Sequence, residues 1–129
     1  QESAGFTDPG IEPVGQAPES RFMQQWMAAI DTLGYCMMVG MTFMEQREAK
    51  KLHLGVIGAL SAVTGEAYPE AYVTDLGAAV LEIERRFNKA AGFTEKDDRL
   101  PKFFTEEKFG PPGFVFDVSP EEIDSVHAQ

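Results

Sequence analysis

An all-α fold is expected from three features of the chain. Apolar residues recur at helical spacing in three segments: Phe22, Trp26, Ile30 and Leu33; Leu52, Val56, Leu60 and Val63; and Val73, Leu76, Val80, Ile83 and Phe87. Glycines Gly65 and Gly92 follow the second and third segments, where helices commonly stop. Near the C-terminus, Ser119-Pro120-Glu121-Glu122 has the form of a capping box with proline at the first helical position. The expected architecture is an irregular bundle of about five helices, with a coil-rich N-terminal segment and a C-terminal tail.

Residues 1–19 carry Gly5, Gly10, Gly15, Pro9, Pro13 and Pro18 with few apolar residues between them, and read as a linker before a helical domain at 20–129. The linker lacks the P-x-x-P pattern of a polyproline ligand. Ser20 offers an N-cap oxygen for the first helix, whose stripe runs to Leu33 and leaves Arg21, Gln24 and Gln25 off its apolar face. From Cys36 to Met44 the chain is apolar on every side, which predicts a central core helix surrounded by protein. Part of that surface is also suited to an interface, because methionine adapts to irregular partners.

Residues 45–51 are polar and read as a turn or helix end, and a helix follows to Val63. Within it, Gly55 and Gly58 permit close helix approach at some cost in propensity, and His53 reads as a surface or packed imidazole. The cleanest stripe predicts one long helix over 69–91, with Glu82, Glu84, Arg85, Arg86 and Lys89 on its solvated face. A charged loop pinned by aromatics spans 92–104. Its adjacent acids Asp97 and Asp98 invite a metal or catalytic reading, but the neighbouring Lys96 and Arg99 favour simple exposure. Coil follows over 105–118, with one short extended piece at Phe114-Val115-Phe116, and the last helix starts at Ser119.

Composition bounds the function. A chain of 129 residues with 43% hydrophobic and 25% charged content supports one domain and one core. Its net charge of −10 argues against nucleic acid or an anionic membrane surface as partner, since phosphate binding needs clustered Lys and Arg. One cysteine forms no intrachain disulfide, and Cys36, His53 and His127 lack metal-ligand spacing among themselves. The apolar run 33–44 is too short for a membrane span, and no signal-peptide pattern is visible, so a cytoplasmic setting is expected. A chain that opens on coil without an initiating Met reads as a piece of a larger protein or a processed one.

The stretch that calls for chemistry is Asp31-Thr32-Leu33-Gly34-Tyr35-Cys36. An unpaired carboxylate among apolar neighbours is costly to bury, and glycine in a helix costs about 1 kcal/mol relative to alanine. A backbone break flanked by an acid and a thiol suggests a docking site. The plainer alternative makes Cys36 a small buried hydrophobe and Asp31 a surface or capping residue.

Three ordered blocks carry a resemblance: Asp31-Thr32-Leu33-Gly34-Tyr35-Cys36; Ala62-Val63-Thr64-Gly65, then Leu76-Gly77 and Ile83-Glu84-Arg85-Arg86-Phe87-Asn88; and Gly92-Phe93 with Lys96-Asp97-Asp98-Arg99-Leu100-Pro101. In order and spacing the set resembles the C-terminal part of the tungsten-dependent aldehyde:ferredoxin oxidoreductase family. The first block is similar to that family's D-x-x-G-L-C motif, with Tyr35 where the family usually has Leu, a change that makes the side-chain surroundings more polar.

The resemblance implies an enzyme that oxidises aldehydes to carboxylic acids with water as oxygen source and passes the electrons to ferredoxin. It implies a tungsten (or molybdenum) bis-pterin cofactor and a 4Fe–4S cluster in the full-length enzyme. Carried over to this chain, Cys36 is a cluster ligand, Asp31 accepts hydrogen bonds from a pterin amine, and Gly34 and Tyr35 supply close backbone approach. The remaining cluster cysteines, the other pterin motif and the catalytic acid have no counterpart here. They are expected in the remainder of the parent enzyme, so this chain alone is expected to be inactive, free of iron and prone to self-association. On this reading Asp31 and Cys36 share one face of a cavity or groove. A helical scaffold without cofactor predicts instead a Cys36 sealed in the core. The same domain in a related reductase with another substrate, such as an aromatic thioester, is the third alternative.

Overall fold

The computed structural model describes residues 15–44, 49–108, 110, 113 and 115–127, and the structure is all-α, as expected. Its helices are α1 (Gln16–Thr32), α2 (Met37–Met44), α3 (Ala49–Thr64), α4 (Tyr72–Ala90), α5 (Phe103–Glu106) and α6 (Pro120–Ser125), with a 3-10 turn at Glu95–Asp98. No strand occurs among the described residues. The short α5 was not expected from the sequence. Most of the expected linker, residues 45–48 of the expected turn, Phe114 of the expected extended piece, and the side chains of Leu52 and His53 lie outside the described residues.

α1 begins at Gln16, four positions before the expected cap at Ser20, and takes in Pro18. Proline is tolerated there because the first four N–H groups of a helix have no partner within it, so none is lost. Gly15 precedes the helix in the left-handed region at φ 86°, and no side chain of its own caps the N-terminus.

α1 ends in a Schellman arrangement. Gly34 adopts φ 76°, its N–H donates to Asp31 O at 3.0 Å, and the Tyr35 N–H donates to Ile30 O at 3.0 Å. The end of α4 repeats it: Gly92 at φ 96° donates to Lys89 O at 3.1 Å and Phe93 to Asn88 O at 3.0 Å. Both glycines occupy the conformation that costs a side-chain-bearing residue most. Gly34 is therefore an ordinary helix stop, which accounts for it without a ligand.

α1 packs chiefly on α4. They meet at Gly77, where an added Cβ would lie 1.8 Å from the Gln25 carbonyl oxygen, so only glycine permits this separation. Trp26, Ala29 and Ile30 of α1, Val56 and Ile57 of α3 and Val73 of α4 form the core, with Phe22, Met23, Met27, Leu33, Tyr35, Tyr68 and Leu76 packed around it. Full burial of side chains such as Trp26, Ile30, Val56 and Val73 contributes about 1.5–3 kcal/mol for a typical large apolar residue.

The expected central role of α2 is not what the structure has. Gly40 is buried against Ile30, but Met37, Met38, Val39 and Met41 are exposed, Met38 by 67%. The α4 stripe likewise covers only its first half: Val73 is buried, whereas Ile83 and Phe87 are exposed. On α3 the buried pair is Val56 and Ile57, and Val63 of the expected stripe is 87% exposed. Apolar periodicity marks which side of a helix avoids water. Whether the cover comes from the same chain is a separate matter.

Candidate functional site

The motif residues sit where α1 turns into α2. Asp31 is exposed on the last turn of α1, and beside it the Thr32 hydroxyl donates to Ala28 O at 2.7 Å. Gly34 reverses the chain with nothing within 4 Å of where its Cβ would stand, so the outer face of the turn is open. Tyr35 is half-buried against the core, and this anchors the turn. Cys36 follows as an exposed free thiol, its carbonyl accepting the Gly40 N–H at 3.0 Å in the first turn of α2. The alternative of a cysteine sealed in the core is thereby corrected. The carboxylate and the thiol are both accessible, and the turn between them is fixed by two backbone hydrogen bonds and an aromatic anchor.

As a donor set the turn offers one thiolate and one carboxylate. No group of three or more His, Cys, Asp or Glu residues suited to a metal ion gathers among the described residues. The turn by itself thus brings one sulfur and one carboxylate to the surface, and not a complete set of metal ligands, among the described residues.

Asp97 and Asp98 have structural occupations. Asp97 Oδ2 accepts the Thr94 N–H at 2.7 Å and the Thr94 hydroxyl at 3.0 Å, and these bonds hold its carboxyl below the ordinary value of 3.8. Asp98 pairs with Arg85 at 3.2 Å. Arg85 thus bonds across to the loop after α4.

A groove of about 310 Å³ lies elsewhere, between α1, α4 and the C-terminal segment, and none of the four motif residues lines it. Arg21, Gln24 and Gln25 contribute from α1, Asp75, Glu82 and Arg85 from α4, and Val126 and His127 close one side. The sequence places Arg21, Gln24 and Gln25 off the apolar face of α1, and here that polar face acquires a lining role. The part played by Glu122 had no such signal. Ser119 accepts the Glu122 N–H at 3.1 Å, as a capping box requires. The Glu122 carboxylate, however, reaches the other end of the chain, where Oε1 accepts Gly15 N–H at 2.9 Å and Ala17 N–H at 3.1 Å.

The fold and this exposed turn define an all-α domain that presents a thiol and a carboxylate at the surface of one helix-to-helix turn. Residues 5–123 match the family model described as aldehyde ferredoxin oxidoreductase, domains 2 and 3, and the chain belongs to that family. Comparisons with curated proteins and with solved structures give no match. No helix among the described residues is long and apolar enough to cross a membrane.

Proposed function

We propose that this chain is the C-terminal, cofactor-contacting domain of a tungstopterin and iron–sulfur aldehyde oxidoreductase. The observation that carries the reading is the exposed Cys36 thiol beside a hydrogen-bonded turn, in a chain matched to this family over 5–123. When bound, the tungsten (or molybdenum) centre supplies the two-electron oxidation of aldehyde to acid and the 4Fe–4S cluster carries the electrons toward ferredoxin. The residues of this chain hold and orient these groups. Cys36 offers a thiolate to one iron. Asp31, with two carboxylate oxygens as acceptors, takes N–H bonds from the pterin edge. Gly34 keeps the turn free of side-chain bulk, and Tyr35 ties it to the core.

The exposed apolar residues support the same reading. Met37, Met38, Val39, Met41 and Leu54 lie on α2 and α3, and Ile83, Phe87, Phe93, Leu100, Phe103 and Phe104 on the end of α4 and the segment after it. So much exposed apolar surface in so small a domain marks faces that bind protein. On this account they pack on the remainder of the parent enzyme, and the isolated chain self-associates through them.

The test is metal analysis of the assembled oxidoreductase carrying Asp31→Ala or Cys36→Ala. Loss of tungsten or molybdenum with the first and of iron with the second is the expected result. Normal content of both metals in both variants would leave the turn without a cofactor role.

A further inference from the structure

Asp31 stands on the last turn of α1 and Cys36 at the threshold of α2, and one contact seats the second helix on the first. Gly40 is buried in α2, and a Cβ added there would lie 2.9 Å from Ile30 Cγ2, 3.3 Å from its Cγ1 and 3.6 Å from its Cβ. Carbon atoms pack at about 3.5–4.0 Å, so glycine is what lets α2 come this near. Ile30 is in no position to yield. It is fully buried in the core, and its β-branch leaves a helical residue one strongly preferred χ1. α2 presents Met37, Met38, Val39 and Met41 to solvent and is the partner with space to move.

Both sides of this contact reach the motif. The Gly40 N–H donates to Cys36 O at 3.0 Å, so the thiol-bearing residue moves with Gly40. Ile30 immediately precedes Asp31 in α1, and its carbonyl accepts the Tyr35 N–H at 3.0 Å. The Ile30–Gly40 contact thus closes a loop of chain, 30–40, that contains all four motif residues.

We propose that Gly40 is a positioning residue: by seating α2 on Ile30 it sets where the Cys36 thiol stands relative to the Asp31 carboxylate. An added methyl group pushes α2 outward by about 0.5–1 Å, the difference between 2.9 Å and ordinary carbon contact. Cys36 travels with α2, and Asp31 stays with α1. Metal–ligand distances hold to within about 0.2 Å, so a thiolate displaced that far falls outside bonding tolerance. The role toward a cluster rests on the proposed function; the geometric role does not.

A nitroxide attached to Cys36, the one cysteine of the chain, tests the geometry without any cofactor. It broadens the amide signals of 28–32 by an amount that falls with the inverse sixth power of distance. In Gly40→Ala that broadening should weaken by about a quarter or more for a shift of about 0.5–1 Å, while hydrogen exchange at the centres of α1 and α4 stays unchanged. Ile30→Leu removes the β-branch at conserved volume, so Gly40→Ala combined with Ile30→Leu should return toward the parent value. Ile30→Val keeps both γ carbons, and combined with Gly40→Ala it should not. Parent-like broadening in Gly40→Ala, or no difference between the two double variants, would overturn the proposal. Should Gly40→Ala not fold, a nuclear Overhauser effect between the Gly40 α-protons and the Ile30 γ-methyl in the unaltered chain decides. Its presence supports the contact, and its absence removes it. In the assembled oxidoreductase, Gly40→Ala should lose iron as Cys36→Ala does. Iron lost with Cys36→Ala but fully kept with Gly40→Ala would overturn the positioning role toward the cluster, whereas iron kept with Cys36→Ala would count against the proposed function instead.

Discussion

Glu122 caps a helix whose N-cap residue, Gly15, lies 107 positions earlier: its Oε1 accepts the Gly15 N–H at 2.9 Å, and the Ala17 N–H at 3.1 Å. α1 lacks a side-chain cap of its own, so this carboxylate both satisfies two donors and sets a negative charge against the positive end of the helix. Removing it by Glu122→Ala should cost about 1–2 kcal/mol, the range measured for lost N-caps and favourable helix-end charges. Glu122→Gln, which keeps an acceptor but not the charge, should cost less. Urea unfolding reads both values, and an unmoved midpoint for Glu122→Ala would mean that the contact does not contribute.

Two glycines in helices should respond in opposite directions. Gly77→Ala would put a Cβ 1.8 Å from Gln25 O, forcing α1 and α4 apart; a loss of about 3 kcal/mol or more, or failure to fold, is expected. At Gly58 nothing lies within 4 Å of the added atom, and Gly58→Ala should stabilise by up to about 1 kcal/mol through helix propensity. Thermal melts of the two variants should bracket the parent chain. Equal shifts would contradict the close approach at Gly77.

For Asp97 the sign follows from its lowered carboxyl. The folded state favours the charged form, so its contribution is present above 3.8 and fades as pH falls through the still lower folded value. Acid unfolding of Asp97→Asn should therefore show a weaker dependence on pH below 3.8 than that of the parent chain, and the Thr94 amide should lose exchange protection. An identical acid limb in the two proteins would mean that the Thr94 bonds are absent in solution.

Cys36 is exposed, and in the isolated chain it should react with a thiol reagent without denaturant, at one equivalent per chain. Iron analysis of the same sample should find none. Four iron per chain would require ligands that this chain does not gather among its described residues.

Legibility in the sequence follows locality. Helix ends written by one glycine were readable, because a left-handed residue is a local requirement; Gly34, Gly65 and Gly92 all have positive φ. The start of α1 was misread because Pro18 looks like a breaker, although a first turn has no hydrogen bond for it to break. α2 was misplaced for a different reason. Its methionines state an aversion to water, and nothing local says that this chain's own core leaves Met37, Met38 and Met41 exposed. The Glu122 contact was invisible for a related cause, since the spacing to Ser119 explains the backbone bond fully and leaves the carboxylate free for a distant donor. At the candidate site, the residue types and their order were legible in the sequence. Exposure of both Asp31 and Cys36 came only with the fold.

The most direct test of the central claim is electron paramagnetic resonance of the reduced, assembled oxidoreductase with Cys36→Ser. If Cys36 supplies one sulfur to the 4Fe–4S cluster, the cluster signal should be lost or shifted as oxygen replaces sulfur at one iron. A signal identical to that of the unaltered enzyme, at full iron content, would show that the cluster is held without this chain's thiol.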